Sequence, residues 1–384
     1  MATTEEMDTT EEMDTAEEWL FAHLGVALTS IHVDQILPVT VPVTSDDEYE
    51  LLCSYSWTSQ DRPTAYVPGE PSRYIPQPVP MNLIQDESFF YIDQDANKNP
   101  QYPFEVVFRA TKVMKPDFKF DDIDIIIDRK TLRKLLLFCQ GTFRQDWRID
   151  LYLVRNTLVV ERHEKDTIET LDNTKPTGYA HNFERAITMP PTGMRNSIGH
   201  HRVLRYDLGG LNCAVRSEVD AAYCNSTNMS ATVGQGGPQQ PVIGGLDDTY
   251  ARLAIIPHGI AIPHEQAAEI RCGRHGGSPL GVILPQHWFG RTRHLIRGFH
   301  EKGEFSHIKV ENVNNELKQW EKTEKNQASL RKVAGVLGQL RDVVKNSETR
   351  SCVVILERDE FEELQIFTTI DCVSPLPEDL IGEF

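Results

Sequence analysis

Apolar positions in this chain fall mainly into short continuous or alternating runs bounded by proline, glycine and polar clusters, which predicts a strand-rich α+β body. Ser88 to Asp93, Phe104 to Ala110, Val203 to Leu208, Ala251 to Ile262, Ala267 to Cys272, Phe305 to Val310 and Val353 to Glu357 read as strands. Residues 97–103 form a turn between the first two, and Trp147 to Arg162 is a hairpin turning near Arg155-Asn156. Leu211 to Tyr223, LNCAVRSEVDAAY, is a further strand, and the rest of the chain is organised around it. The period lengthens to that of a helix in Ile123 to Leu137, which runs from a buried strand into a face of Leu132, Leu135 and Leu136. It does so again in Gly178 to Thr188, through Tyr179, Phe183 and Ala186. Asn315 to Lys345 is the longest helix, with a stripe of Leu330, Val333, Leu337, Leu340 and Val344. Trp19 to Leu28 predicts a short helix, and Gln286 to Phe299 a helix end or turn leading into a strand that pairs with Phe305 to Val310. Prolines make Ile36 to Pro80 extended, and Pro375 and Pro377 close off regular structure in the acidic residues 361–384.

Three places carry candidate chemistry. Glu218 and Asp220 stand at i and i+2, so on one strand they share a face about 7 Å apart at Cα, a place to hold a divalent cation. The alternative is an edge strand whose polar face lies in water. Glu269 and Arg271 repeat this spacing, as a site or as part of a cross-strand salt bridge. Arg129 falls where a strand hands over to a helix, and a cation there opposes the macrodipole. It therefore faces an anion, or pairs locally with Asp121, Asp122 or Asp124. Glu184 alone reads as a helix surface residue.

Composition narrows the field. The net charge of −18 is concentrated in residues 1–50, which hold thirteen acidic residues and no lysine or arginine. Segment 271–300 reverses the sign, with Arg271, Arg274, Arg291, Arg293 and Arg297 and no acid. Bulk charge is thus a poor guide to the site. The repeated TTEEMD of residues 3–14 makes 1–18 a disordered acidic leader, and 19–384 is expected to be one large domain. Residues 225–247, rich in glycine and polar residues, read as a loop insertion. Seven cysteines without a C-x-x-C pair point to a reducing compartment, and no run is long enough to span a membrane. Composition leaves nucleus and cytoplasm open.

Five short motifs, in order, resemble those of the DXO-like RNA 5′-end decapping and quality-control nucleases. They are RKTLRKLL at 129–136, GYAHNFE at 178–184, SEVD at 217–220, EIR at 269–271, and Gln286 twelve residues before Gly298-Phe299. The resemblance spans roughly Tyr49 to Lys345 and implies the PD-(D/E)XK nuclease fold, a central twisted mixed sheet flanked by helices. The sheet would contain the Val203, Leu211 and Ala267 strands. By the same resemblance, Glu184, Asp220, Glu269 and the backbone carbonyl of Ile270 bind Mg²⁺ or Mn²⁺. Glu218, Arg271 and Gln286 act in catalysis, and Arg129 contacts RNA phosphate. Hard oxygen ligands in an open site suit those ions. The implied substrates are triphosphorylated or incompletely or aberrantly capped RNA 5′ ends, the implied partner a 5′-to-3′ exoribonuclease, and the implied location the nucleus.

Three departures bear on activity. The glycine-tyrosine motif is two residues longer than the family pattern, and forty-eight residues separate Asp220 from Glu269. Arg271 replaces a lysine, and its planar fork is expected to pair with Glu269 or Glu218 in competition with a metal. Arg129 and the arginines of 271–300 are expected to line one wall of the groove leading to those carboxylates. A metal-dependent 5′-end phosphohydrolase and a weakened relative that only binds RNA 5′ ends or a nuclease partner both follow from these residues.

Overall fold

Two large sheets, with helices packed outside them, meet at the Glu218–Asp220 stretch. The computed structural model describes residues 18–45, 48–143, 145–171, 177–224, 242–243, 253–274, 279–358, 362–370 and 373–384. The strands that matter here are β1 (Leu24–His32), β2 (Tyr49–Thr58), β3 (Ile125–Asp128), β4 (Trp147–Val154), β5 (Thr157–His163), β6 (Ser197–Asp207) and β7 (Asn212–Glu218). They are followed by β8 (Ala221–Ala222), β9 (Ala267–Gly273), β10 (His294–Glu301), β11 (Glu304–Asn312), β12 (Ser351–Leu356) and β13 (Glu363–Thr369). The larger sheet has twelve strands in the order β1-β13-β12-β4-β5-β3-β7-β6-β2, ending in Thr64–Pro68, Ala254–His258 and Val242–Ile243. It is mixed: β3 runs parallel to β5 and β7, while β6 and β7 are antiparallel. In the seven-stranded sheet β8, β9, β10 and β11 are consecutive neighbours.

Alternation along β3 sends Ile125 and Ile127 into one core and Ile126 into the other, so both faces of the larger sheet are covered. On one face lie α2 (Arg129–Cys139), α4 (Leu280–Gly290) and α5 (Glu324–Asn346), through Leu132, Leu135, Trp288, Leu330, Leu337 and Leu340. On the other lies α1 (Glu105–Met114), through Val106, Val107 and Phe108. The hydroxyl of Tyr206 donates to the carbonyl of Phe289 at 2.8 Å and fixes the end of α4 on β6. A third core, built on Phe183, Ile270, Ile296 and Phe305, holds α3 (Ala180–Ile187) against the smaller sheet. No helix among the described residues is long and apolar enough to cross a membrane.

The structure corrects several expectations. Phe104 to Ala110 is not a strand but the first half of α1. Its β-branched residues would suit a strand, yet a run buried against β2 and braced by an Arg109–Glu105 pair one turn apart is satisfied as a helix. Trp19 to Leu28 is helical only as far as residue 21, because His23 turns with φ +58° and β1 begins at Leu24. The long C-terminal helix is two, Asn314–Lys322 and α5, and the Thr323 hydroxyl between them accepts the Asn326 N–H. Residues 361–384 do contain regular structure, β13 and the turn of helix Glu378–Ile381. Leu211 to Tyr223 is not one strand, and the Val203, Leu211 and Ala267 strands do not share one sheet. The leader 1–17 and almost all of the 225–247 insertion lie outside the described residues.

Candidate active site

At Glu218 the chain leaves the larger sheet. Val219 still donates its N–H to His200 at 2.9 Å, Asp220 lies in neither sheet, and β8 then pairs with β9 of the smaller one. Glu218 and Asp220 therefore do not share a strand face, as their spacing predicted, but flank the crossing point. There Asp220 accepts the N–H of Ile270 at 2.8 Å. Ile270 enters the site through its amide hydrogen.

Glu269, on β9, has no exposed surface. One of its oxygens accepts from the Arg129 guanidinium and the other from the side-chain amide of Gln286 on α4. Arg129 is the first residue of α2, placed there because Asp128 before it is held by the Nε and Nη2 of Arg216, at 2.6 and 2.9 Å. The anion it faces is a carboxylate 140 residues away, not Asp121, Asp122 or Asp124.

Glu184 is brought in by α3. The helix start is set by Asp86, whose carboxylate accepts the N–H groups of His181 and Asn182 at 3.1 and 2.8 Å, while the carbonyl of Gly178 accepts from Asp86. That anchoring absorbs the longer glycine-tyrosine motif. Glu184 is not the helix-surface acid that its spacing alone suggested. Burial, then Glu218 and Glu269, push its carboxyl up to about 8. Burial also lifts Asp220 well above the usual carboxylate range, and Glu269, Glu184 and Glu218 add to the rise. Burial acts the same way on Glu269, but Arg129, with His287 and Arg271 behind it, outweighs this and holds Glu269 below the usual range.

The four acids thus feel one another. Among the described residues, however, no three acidic, histidine or cysteine side chains form a group that could hold a metal ion. Both Glu269 oxygens are taken by Arg129 and Gln286, and Asp220 is turned to the Ile270 amide. By chemistry the donors still fit a hard divalent cation, since Glu184, Asp220 and the fully buried Glu269 repel one another until a positive charge joins them.

Arg271 departs from expectation too. It is exposed and donates not to Glu269 or Glu218 but to the side-chain oxygen of Gln286. The same oxygen accepts from Arg133 of α2 at 3.1 Å. Arg133 was missed in the sequence, although it stands one turn after Arg129 on the same helix face. Of the expected wall of arginines, Arg129 and Arg271 meet at Glu269 and Gln286, and two others are engaged elsewhere. Arg291 is buried, with its guanidinium 4.1 Å from the centre of the Tyr206 ring, and Arg297 is paired with Glu311.

The sequence pattern of a family described as a domain of unknown function, DUF8563, matches residues 26–384. No curated protein matches the chain. Rai1 of S. pombe is similar in structure, with a TM-score of 0.56 at 12% identity over 89% of this chain and 99% of that one. Rai1 of Candida albicans, in complex with pU5-Mn²⁺, gives a TM-score of 0.58 at 13% identity over 94% and 99%. K. lactis Dxo1, in complex with manganese, gives 0.51 at 9% identity over 89% and 95%. At these identities the likeness establishes the fold.

Proposed function

The chain belongs to the DUF8563 family and has the fold of the Rai1 and Dxo1 structures, and on that premise we propose that it is a divalent-metal-dependent phosphohydrolase acting at RNA 5′ ends. The observation that carries the reading is the gathering of Glu184, Glu218, Asp220 and Glu269 where the two sheets meet, with two of these carboxyls raised by burial and mutual repulsion. Structures with this fold hold manganese or calcium. Here Glu184, Asp220 and Glu269, with the Ile270 carbonyl, would hold Mg²⁺ or Mn²⁺. Such an ion lowers the pKa of bound water and stabilises charge on a phosphoryl group.

The chain's own residues supply the rest. Glu218 is the acid available to orient an attacking water or to support a second ion. Gln286 ties Glu269 to the arginines Arg133 and Arg271, so the carboxylate and phosphate-facing sides of the site are mechanically joined. Arg129 balances the charge of Glu269 through one of its oxygens while Gln286 holds the other, and a bound ion would share the carboxylate with them.

Calorimetric Mn²⁺ titration of the purified protein and its Asp220→Ala variant, beside product analysis with 5′-triphosphorylated RNA, tests this. Saturable Mn²⁺ binding and release of a 5′ fragment, both lost in the variant, are expected. The Arg129–Glu269 pair favours a second reading, a protein that binds RNA 5′ ends and cleaves slowly. RNA binding without Mn²⁺ uptake in the same experiment would select it.

A further inference from the structure

We propose that a small cavity between Arg202 and His264 is a binding site for a small monovalent anion of the halide class. The cavity has a volume of about 60 Å³, and its polar border is made by Tyr49 of β2, His200 and Arg202 of β6, and His264 in the short turn before β9.

Arg202 is 4% exposed, and its two terminal nitrogens are fully engaged. One donates to Nδ1 of His264 at 3.1 Å, the other to the Gly290 carbonyl at 2.7 Å and the Thr292 hydroxyl at 3.0 Å. Its Nε is buried and has no partner among the described residues. Since an arginine Nε always bears hydrogen, this is an orphaned donor. His264 accepts at Nδ1, so its ring hydrogen sits on Nε2. That atom too is buried without a hydrogen bond, the Arg291 carbonyl standing near it outside hydrogen-bond geometry. Leaving buried donors unmet is costly, and the occupant that suits these two is an acceptor.

Charge and wall chemistry choose an anion over water. Burial, then Arg202, Arg293 and Arg291, push the titration of His264 down to about 3, so its ring is neutral. Burial and repulsion from Arg129 push Arg202 down to about 10, with Glu269 acting the other way. Glu269 is held by Arg129 and Gln286, Glu265 acts on Tyr49, and neither carboxylate borders the cavity. Most of the remaining wall is apolar, Leu51, Leu204, Val219 and Ile262. A halide needs few directed partners there, whereas a water must place two hydrogens of its own. The space is far below the roughly 300 Å³ of an ordinary small-molecule pocket, which excludes a nucleotide. Gly290 stands between two guanidiniums: its carbonyl accepts from Arg202, and a Cβ built on it would lie 2.9 Å from Nη1 of Arg129. An anion here therefore lessens the repulsion between Arg202 and Arg129.

The test is urea unfolding of the purified protein in EDTA, with potassium gluconate, too large for the cavity, replaced stepwise by potassium chloride or bromide at fixed ionic strength. Either halide should stabilise the wild type along a saturating curve. The unfolding constant should fall by a factor of about eleven when the halide stands tenfold above its dissociation constant. Arg202→Gln and His264→Phe should each abolish the saturating rise. His264→Phe keeps a ring against Tyr49, where the centroids are 4.0 Å apart, and so serves even where the buried Arg202 variant fails to fold. A wild type without a saturating rise overturns the site and leaves water as the occupant. A saturating rise that His264→Phe retains overturns it as well, since the halide then acts elsewhere on the surface. Neither metal nor RNA is read, so the result is separate from the hydrolase reading.

Discussion

Arg129 is almost wholly enclosed, and its partner Glu269 is completely so. Removing one member of a buried pair strands the other, at a cost of about 3–5 kcal/mol. Arg129→Met should therefore lower the unfolding free energy of the metal-free protein, read from urea denaturation, by that amount, and added Mn²⁺ should recover most of the loss, because the freed carboxylate gains a cation. A destabilisation that Mn²⁺ leaves untouched would show that Glu269 is not a ligand. Glu184 gives a pH test of known sign. Its folded carboxyl titrates near 8 and its ordinary value is 4.5, so between these values the folded state holds a proton that the unfolded chain has released. Stability of the metal-free protein should then fall as pH rises through that window, while Mn²⁺ affinity should rise from pH 6 to 8 with proton release. Calorimetry in buffers of different ionisation heat measures the release, and a proton count of zero would refute the assignment. At this scale the sequence was a partial guide. Motif resemblance pointed to Glu184, Glu218, Asp220 and Glu269, but no local pattern could tell that Arg129 pairs with Glu269 or that Arg133 joins Arg271, since both contacts span more than a hundred residues or pass through Gln286.

At the scale of elements, α3 depends on a glycine far from it in sequence. A Cβ built on Gly298 of β10 would stand 2.3 Å from the Phe183 ring, which is itself stacked on Phe305 with centroids 4.5 Å apart. Phe183 has no exposed surface and precedes Glu184, so the ring cannot retreat without carrying the carboxylate with it. Gly298→Ala should destabilise the fold by about 1–3 kcal/mol and also weaken Mn²⁺ binding. Denaturant unfolding beside metal titration would show whether both fall; intact metal affinity would mean that α3 does not set the position of Glu184. Helix α3 was legible because its apolar residues recur with the right period and its start is polar. Helix α1 was not, because Val106, Val107 and Phe108 are strand-favouring residues whose helical state is decided by the sheet they cover.

On the scale of the whole molecule, the break between β7 and β8 places the candidate site where two sheets meet. The apolar run of Leu211 to Tyr223 concealed it, since a chain passing from one buried sheet to another keeps the same composition. Hydrophobic pattern reports burial and period, and neither distinguishes a strand that continues from one that changes sheets. The charge distribution has the opposite character: it is legible in sequence, and its consequence can be measured. A net charge of −18 repels RNA at a distance, and of the arginines in 271–300, Arg291 is buried and Arg297 is paired with Glu311. Recognition then rests on a few local contacts. With about two arginine–phosphate contacts, log K for single-stranded RNA should fall with log salt at a slope near −1.4, at about −0.7 per contact. Binding of 5′-triphosphorylated RNA in EDTA between 50 and 300 mM salt measures this. A slope steeper than about −4 would mean that the RNA follows an extended basic path elsewhere on the surface, one candidate being the open groove that includes Arg73 and Arg195. A shallow slope that flattens further in Arg133→Gln would assign the contacts to the place where the two sheets meet.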